Sequence, residues 1–374
     1  MPVSKDVVAW ARKRAGLSQE EAAQKFAKIA AWEDGTLQPT YPQLERMAEE
    51  FKIPVAVFFF PEPPTLPPIR ESFRTLPDAE FDQLPRQIRF LLRKAKAFQL
   101  NLAELTLGHN PAPRLITRDL SFPTDIAIPR MAAAVRGYLG ISLDQQQQWV
   151  DDDGALKAWR SALHKIGLFV FKDAFRVEGY SGFSLYDNEF PIIYVNNSST
   201  KTRQIFTLFH ELAHLLFQTS GIDQDDNSLI GRLPFQQQRI EIICNKFAGE
   251  FLVPDAALRA AMVGLNPSEA TAQQLAQQFH VSREVVYRRF LDRGWIEQIE
   301  YTRAAAAWSN QRAQGGGGGD WYRTQIAYLG RDYIELALQQ YHRNRIDEGQ
   351  LAEYLNTKPR NIGTLEDYFS KGSQ

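Results

Sequence analysis

The sequence predicts a mostly helical α+β protein, and three observations carry that prediction. Apolar residues recur at helical spacing through most of the chain, from Val7, Val8, Ala11 and Ala15 onward. One stretch of short apolar or alternating runs, bounded by Gly, Pro, Asn and Asp, interrupts them between residues 167 and 195. The composition is globular: of 374 residues 44% are hydrophobic and 23% charged, which excludes a wholly disordered or fibrous chain. At roughly 100–200 residues per domain, two or three domains are expected. The balance of 43 Lys+Arg against 44 Asp+Glu, net −1, demands no nucleic-acid partner but leaves room for a local basic surface.

Residues 1–60 read as short helices. Ser18-Gln19-Glu20-Glu21 is a capping-box pattern that starts a helix running to Phe26. Pro39-Thr40-Tyr41-Pro42 opens another, with Leu44, Met47, Ala48 and Phe51 on one face. Pro61, Pro63, Pro64, Pro67 and Pro68 then mark a linker or extended arm over 61–77. From Pro85 to about Leu107 the pattern is helical, and its Arg86, Arg89, Arg93, Lys94 and Lys96 read as a solvated helix face. Two helices are expected over 126–166.

The β-rich stretch follows as Gly167–Phe171, Gly179–Tyr186 and Pro191–Val195, a hairpin or small sheet. It leads into helices over about Thr200–Gln218 and Gln236–Leu252, the second stopping near Pro254. Helices dominate 268–296. Gly315–Gly319 is a five-glycine tract expected to be a flexible loop, and the remainder from Asp320 is helical. No internal repeat of fixed period is present.

A lone cysteine, Cys244, excludes an intrachain disulfide and any Cys₂ or Cys₄ zinc site. That usage fits a reducing cytoplasm. The first residues carry charges at Lys5, Asp6, Arg12, Lys13 and Arg14, so no signal peptide is read. The apolar run Val55–Phe60 falls far short of the ~20 residues that a membrane span needs. A cytoplasmic protein with no membrane partner is expected.

The chemistry lies in Phe206-Thr207-Leu208-Phe209-His210-Glu211-Leu212-Ala213-His214-Leu215-Leu216, a His-Glu-x-x-His inside an apolar helix. At 3.6 residues per turn, His210 and His214 sit one above the other on one face and can share a metal ion. Glu211 stands beside them, where a general base for hydrolysis belongs. A chance match is expected in about one chain of this composition in a hundred. Two histidines and a glutamate in a buried helix need partners, and a metal supplies them; the bland alternative is a core pair hydrogen-bonded to backbone. A catalytic zinc takes three protein ligands. Downstream donors are Asp223, Asp225, Asp226, Glu241, Glu250, Asp255 and Cys244. Glu241 and Glu250 lie nine positions apart, on opposite sides of one helix, so only one of them can face the metal.

These segments resemble the ImmA/IrrE family of metallopeptidases. The resemblance rests on Arg203-Gln-x-Phe206-Thr207-Leu-x-His210-Glu211-Leu-Ala-His214-Leu-Leu and on Glu241-x-x-x-Asn245-x-Phe247-Ala248-x-x-Phe251-Leu252-x-Pro254, with the strand Ile192–Asn196 before them. It covers about residues 160–260. It implies a zincin-like core and a gluzincin-like zinc endopeptidase. The metal ligands are then His210, His214 and Glu241, with Glu211 as catalytic base. Zinc suits these donors, with manganese or iron as alternatives. The resemblance further implies a regulatory role, cleaving a DNA-binding repressor or antitoxin in a stress, phage or toxin–antitoxin response. Tyr180 and Tyr194 are candidate oxyanion donors, and the strand Ile192–Asn196 offers an edge for an extended substrate.

Arg12-x-x-x-Gly16-Leu17-Ser18-Gln19-x-x-x-Ala23 and Trp32-Glu33-x-Gly35-x-x-x-Pro39 resemble a repressor-type (XRE/Cro) helix-turn-helix. This implies DNA as a partner, with Arg12, Arg14, Gln19 and Lys28 as contacts. Only five residues separate Phe26 from Trp32, so the region that starts the recognition helix is shortened. Leu275–Phe290 is a second helix-turn-helix-like pattern, within 268–296; its alternative is a pair of helices closing the peptidase core. The expected domains are a helix-turn-helix domain (1–60), a Pro-rich linker and basic helix (61–125), a zincin-like domain (126–300) and a helical C-terminal region (320–374). The competing reading is a transcription regulator or antitoxin-like binding protein on a vestigial peptidase fold.

Overall fold

A computed structural model of the chain describes residues 3–51, 53, 55–64, 84–224, 235–310 and 319–371. Most of the expected linker (65–77), Asp225, Asp226 and glycines 315–318 lie outside these residues. The fold is mostly helical with one four-stranded sheet, and it divides into two compact units. One holds the described residues up to Lys94, the other those from Ala95 on.

The first unit is built from α1 (Lys5–Arg14), α2 (Gln19–Lys25), α3 (Ile29–Asp34), α4 (Tyr41–Phe51), a 3-10 turn (Val55–Phe59) and the start of α5 (Arg86–Leu105). The capping box forms as the sequence pattern predicts: Ser18 accepts from the Glu21 N–H while Glu21 reaches back to the Ser18 N–H. Val7, Val8, Ala11, Ala22, Ile29, Trp32, Met47, Phe51 and Phe58 close a small apolar core. After α2 the chain turns within three residues into α3, which is only six residues long and ends at Gly35 in the left-handed conformation.

The second unit continues with the rest of α5, α6 (Ile116–Asp119), α7 (Ile128–Leu139), α8 (Leu143–Gln147) and α9 (Asp152–Lys165). The strands follow: β1 (Phe169–Asp173), β2 (Tyr180–Leu185) and β3 (Ile192–Asn196), then α10 (Lys201–Leu216) and β4 (Ile222–Gln224). Next come α11 (Phe235–Leu252), α12 (Asp255–Ala261), α13 (Glu269–Phe279), α14 (Arg283–Asp292) and α15 (Gln298–Asn310). The C-terminal helices are α16 (Trp321–Leu329), α17 (Arg331–His342), α18 (Glu348–Tyr354) and α19 (Ile362–Lys371). No described helix is long and apolar enough to cross a membrane.

The sheet order is β1-β3-β2-β4, with β1 parallel to β3 and the other pairs antiparallel. All five residues of β3 are buried, as a strand covered on both faces must be. Ile193 and Val195 face the helices, packing with Trp159, Leu208, Phe209, Leu212, Phe247 and Phe251 in one core. Tyr194, between them in sequence, points to the opposite face. There Phe183 stacks on it at 5.0 Å, Phe98 of α5 stacks on Phe171 at 4.3 Å, and Tyr333 of α17 meets Phe171 edge-on.

One expectation changes here. The strand Ile192–Asn196 is not an available edge for a substrate, because β3 lies between β1 and β2 and pairs with both. The outer side of β1 is also occupied. Arg160 donates from Nε to the Val170 carbonyl at 3.0 Å and from Nη1 to the Ala327 carbonyl at 2.6 Å, holding α16 alongside. The helices α13 and α14 share the main core through Leu275, Phe279, Val286 and Phe290. Of their arginines, Arg289 turns inward to Glu250, Arg288 pairs with Asp292, and Arg283 lies over the Trp308 ring. They close the core of this unit.

Candidate metal centre

The apolar pattern of α10 is what places its histidines. Residues 207–216 are all buried, in a helix held between the sheet and α11. A helix packed on both sides carries its polar residues into the interior with it. His210, Glu211 and His214 are 1%, 0% and 3% exposed. From α11, Glu241 reaches the same point. His210 Nε2 and His214 Nε2 are 3.1 Å apart, and Glu241 places Oε2 3.3 Å from the first and Oε1 3.2 Å from the second.

These three side chains form a group whose ligand atoms all lie within 4.8 Å of one another. The donor set fits zinc: nitrogens about 2.0–2.1 Å from a tetrahedral ion sit about 3.4 Å from each other. Each imidazole is turned by its other nitrogen. Asn245 Oδ1, one turn after Glu241, lies 3.1 Å from His210 Nδ1. The Thr219 hydroxyl lies 3.4 Å from His214 Nδ1. Both arrangements leave Nε2 facing the cluster. Gly221 completes the enclosure, because a Cβ there would lie 2.4 Å from His214 Cδ2.

The electrostatics are those of an anionic pocket. Burial works against charge on His210, but the carboxylates of Asp223, Glu241 and Glu211 outweigh it and hold its pKa up at about 9. Burial also opposes the charge on Glu241, and the two histidines overcome it, keeping that carboxyl well below the usual range. Glu211 goes the other way: burial raises its pKa, and among the described residues its two buried carboxyl oxygens have no well-formed hydrogen bond, the Ser184 hydroxyl being only a weak neighbour. An orphaned buried carboxyl beside three converging donors is what a hydrolytic centre requires of its base.

The structure separates the residues that sequence spacing left open. Glu250, on the far side of α11, is bound by Arg289 and accepts from the Asp255 N–H at 3.1 Å. Cys244 is fully buried in the apolar core. Asp223, one of the downstream donors, is instead clamped by Arg203 at 3.0 and 3.1 Å and accepts from the Thr207 hydroxyl at 2.9 Å. Tyr194 faces the aromatic side of the sheet, with its hydroxyl 3.4 Å from Asp173, so it does not serve as an oxyanion donor. Tyr180 begins β2 at a bulge and is half-buried. Sequence reasoning missed Asp223's role, Thr219, Gly221 and Ser184. None sits in a periodic pattern, and only Asp223 carries a charge that could have flagged it.

Residues 164–291 match the model of the IrrE N-terminal-like domain, Peptidase_M78. The match runs from the end of α9 into α14, so this IrrE-like region takes in the whole sheet and both helices of the His210–His214–Glu241 cluster. It supports a peptidase of the ImmA/IrrE type and a metal ion in it. No curated protein matches the chain.

In the first unit, the four expected DNA contacts fare differently. Arg12 is 8% exposed and forms a paired hydrogen bond to Glu33 at 2.5 and 3.0 Å, and Gln19 joins the same carboxylate at 3.1 Å. Arg14 lies over the Trp10 ring. Lys28 is exposed just before α3.

Proposed function

We propose that this chain is a zinc-dependent endopeptidase of regulatory type, with a zincin-like core, acting on a DNA-binding repressor or an antitoxin partner. The observation that carries the reading is the convergence of His210, His214 and Glu241 beside the unpartnered carboxyl of Glu211. His210, His214 and Glu241 would hold the ion. Zinc, when bound, supplies a Lewis acid that makes water acidic near neutral pH and polarises a peptide carbonyl. Glu211, kept in an apolar site that raises its pKa, takes a proton from water and passes it to the leaving amine. Asn245 and Thr219 hold the two imidazoles in the tautomer that points Nε2 inward.

The N-terminal unit is read as a helix-turn-helix whose second helix is cut to six residues. With Arg12 and Gln19 both turned to Glu33, its recognition face is largely spent on holding the unit together. The test of the enzyme reading is metal content and peptide cleavage in three proteins. Wild type should carry about one zinc per chain. His214→Ala should carry none. Glu211→Gln should keep the zinc and lose cleavage of a repressor-type substrate. Full activity in Glu211→Gln with zinc retained would overturn it.

A further inference from the structure

We propose that the Lys172 amine of β1 is a carbon dioxide site, taking up the gas as a carbamate within a cluster of cations at the sheet border. The site stands apart from the metal centre and does not rest on the peptidase reading. Side chains alternate along a strand, so Lys172 points the same way as Val170, and so does its partner in β3, Val195. Both valines belong to the core shared with the helices. Lys172 therefore runs beneath α9, which packs on β1. The residue is 6% exposed. Lysine almost never goes inside without a partner. Yet among the described residues no carboxylate lies within ion-pair distance of its Nζ, and no acceptor within hydrogen-bond distance.

The charges around it are mostly positive. Asp153, Lys157 and Arg160 sit at i, i+4 and i+7 of α9, on one face. Lys201 opens α10 and joins the same group: its Nζ lies 3.1 Å from Asp153 Oδ1, and Lys157 Nζ lies 2.7 Å from Oδ2. Arg160 spends its guanidinium on the carbonyls of Val170, Ala327 and Tyr328. Tyr328 of α16, along the outer side of β1, acts on Asp173 rather than on Lys172. Three cations around Lys172 thus share one carboxylate, that of Asp153. Burial, and then repulsion from Arg160 and Lys201, brings the Lys172 pKa down to about 6, so the amine keeps its lone pair at neutral pH.

A neutral amine in a positive field selects its reagent. With so little of the residue open, the electrophile has to be small. An acyl donor would leave a neutral amide, and a carbonyl compound an imine; neither answers the surplus of positive charge. Carbon dioxide leaves an anion. Nζ gives its lone pair to the carbon, one C=O π pair moves onto oxygen, and the nitrogen releases one proton to water. The side chain ends with a single negative charge, a second carboxylate for Lys157 and Lys201. No oxidant or reductant is consumed.

The full-length chain is equilibrated with carbon dioxide and bicarbonate, trapped with a triethyloxonium salt that esterifies carbamates, and digested for peptide mass spectrometry. At about pH 7.5 the folded chain should carry the trapped ester on Lys172 at a yield at least tenfold above exposed Lys157, because an ordinary lysine is almost wholly protonated there. That excess should vanish in the urea-unfolded chain. Lys201→Gln removes one cation and should cut the Lys172 yield by about 3–10-fold, whereas Asp153→Asn removes the one carboxylate and should not lower it. Bicarbonate at fixed pH and ionic strength should raise the melting temperature of wild type and not that of Lys172→Met. No ester on Lys172 in the folded chain, an equal yield in the unfolded chain, or an ester confined to the α-amino group overturns the proposal. So does a Lys172 yield that Lys201→Gln leaves unmoved.

Discussion

Replacing Gly221 with alanine drives a methyl group into the His214 imidazole. The new Cβ would lie 2.4 Å from Cδ2, 2.6 Å from Cγ and 2.7 Å from Nε2. Carbon atoms rest about 3.5–4.0 Å apart, so ring or backbone must yield by roughly 1 Å. The backbone is pinned, because the Gly221 N–H donates to Ser184 Oγ at 3.1 Å and its carbonyl accepts from the Ser184 N–H at 3.0 Å. The ring is therefore what moves. Ligand distances in metal sites hold to about 0.2 Å, and loss of a supporting contact typically costs 10–100-fold in metal affinity. Gly221→Ala should lose zinc affinity by at least that range, measured by competition with a chromophoric chelator. It should also lose about 1–3 kcal/mol of stability from overpacking. Gly137→Ala is the control: nothing lies within 4 Å of a Cβ there. It should bind zinc normally and gain about 0.5–1 kcal/mol. Zinc affinity in Gly221→Ala within twofold of wild type would refute the claim that this glycine sets the position of His214.

Three further outcomes follow from the same geometry. Glu241→Gln should abolish zinc binding, whereas Glu250→Gln should keep it; Arg289→Ala, which strands the buried Glu250 carboxylate, should cost about 3–5 kcal/mol in denaturant unfolding. Tyr333→Ala removes a 1%-exposed ring from the aromatic face and should cost a similar amount, about 3–5 kcal/mol, without altering zinc binding. Lys172 is 6% exposed, and burial, helped by Arg160 and Lys201, brings its pKa down to about 6. An ordinary lysine titrates near 10.4. Between these values the unfolded chain holds the proton and the folded chain does not, so Lys172 makes stability rise with pH by up to about 1.4 kcal/mol per unit. Lys172→Met should be more stable than wild type at pH 7, and the gap should narrow by pH 9; parallel stability curves would count against it.

The sequence made some of this plain and hid the rest for physical reasons. His210, Glu211 and His214 are legible because one helix fixes their relation, and helical geometry is local. The capping box at Ser18 is legible for the same reason. Glu241 and Glu250 are not separable by pattern, since the choice depends on Arg289, which arrives from α14 to claim one of them. Arg86, Arg89 and Arg93 read as a solvated row until the end of α1 is brought against them. The places of Tyr194 and β3 are not legible because strand order is a tertiary property: a strand's neighbours decide whether its edge is open and what lies beneath each face. Gly221 carries no signal at all, since what matters there is the side chain it lacks.

Arg160 has a consequence for biosynthesis. Its guanidinium joins β1 to the Ala327 carbonyl, 167 positions after Arg160 itself. A ribosome adding about 5–20 residues per second needs roughly 8 to 33 seconds to make that stretch. In the later part of that interval, once Glu241 has been made, the metal-binding side chains can gather on the helical side of the sheet while the border of β1 and the aromatic surface still wait for α16 and α17. The helices after Asp320 thus arrive as a late lining, and a chain halted before them would leave the ribosome with a sticky border exposed.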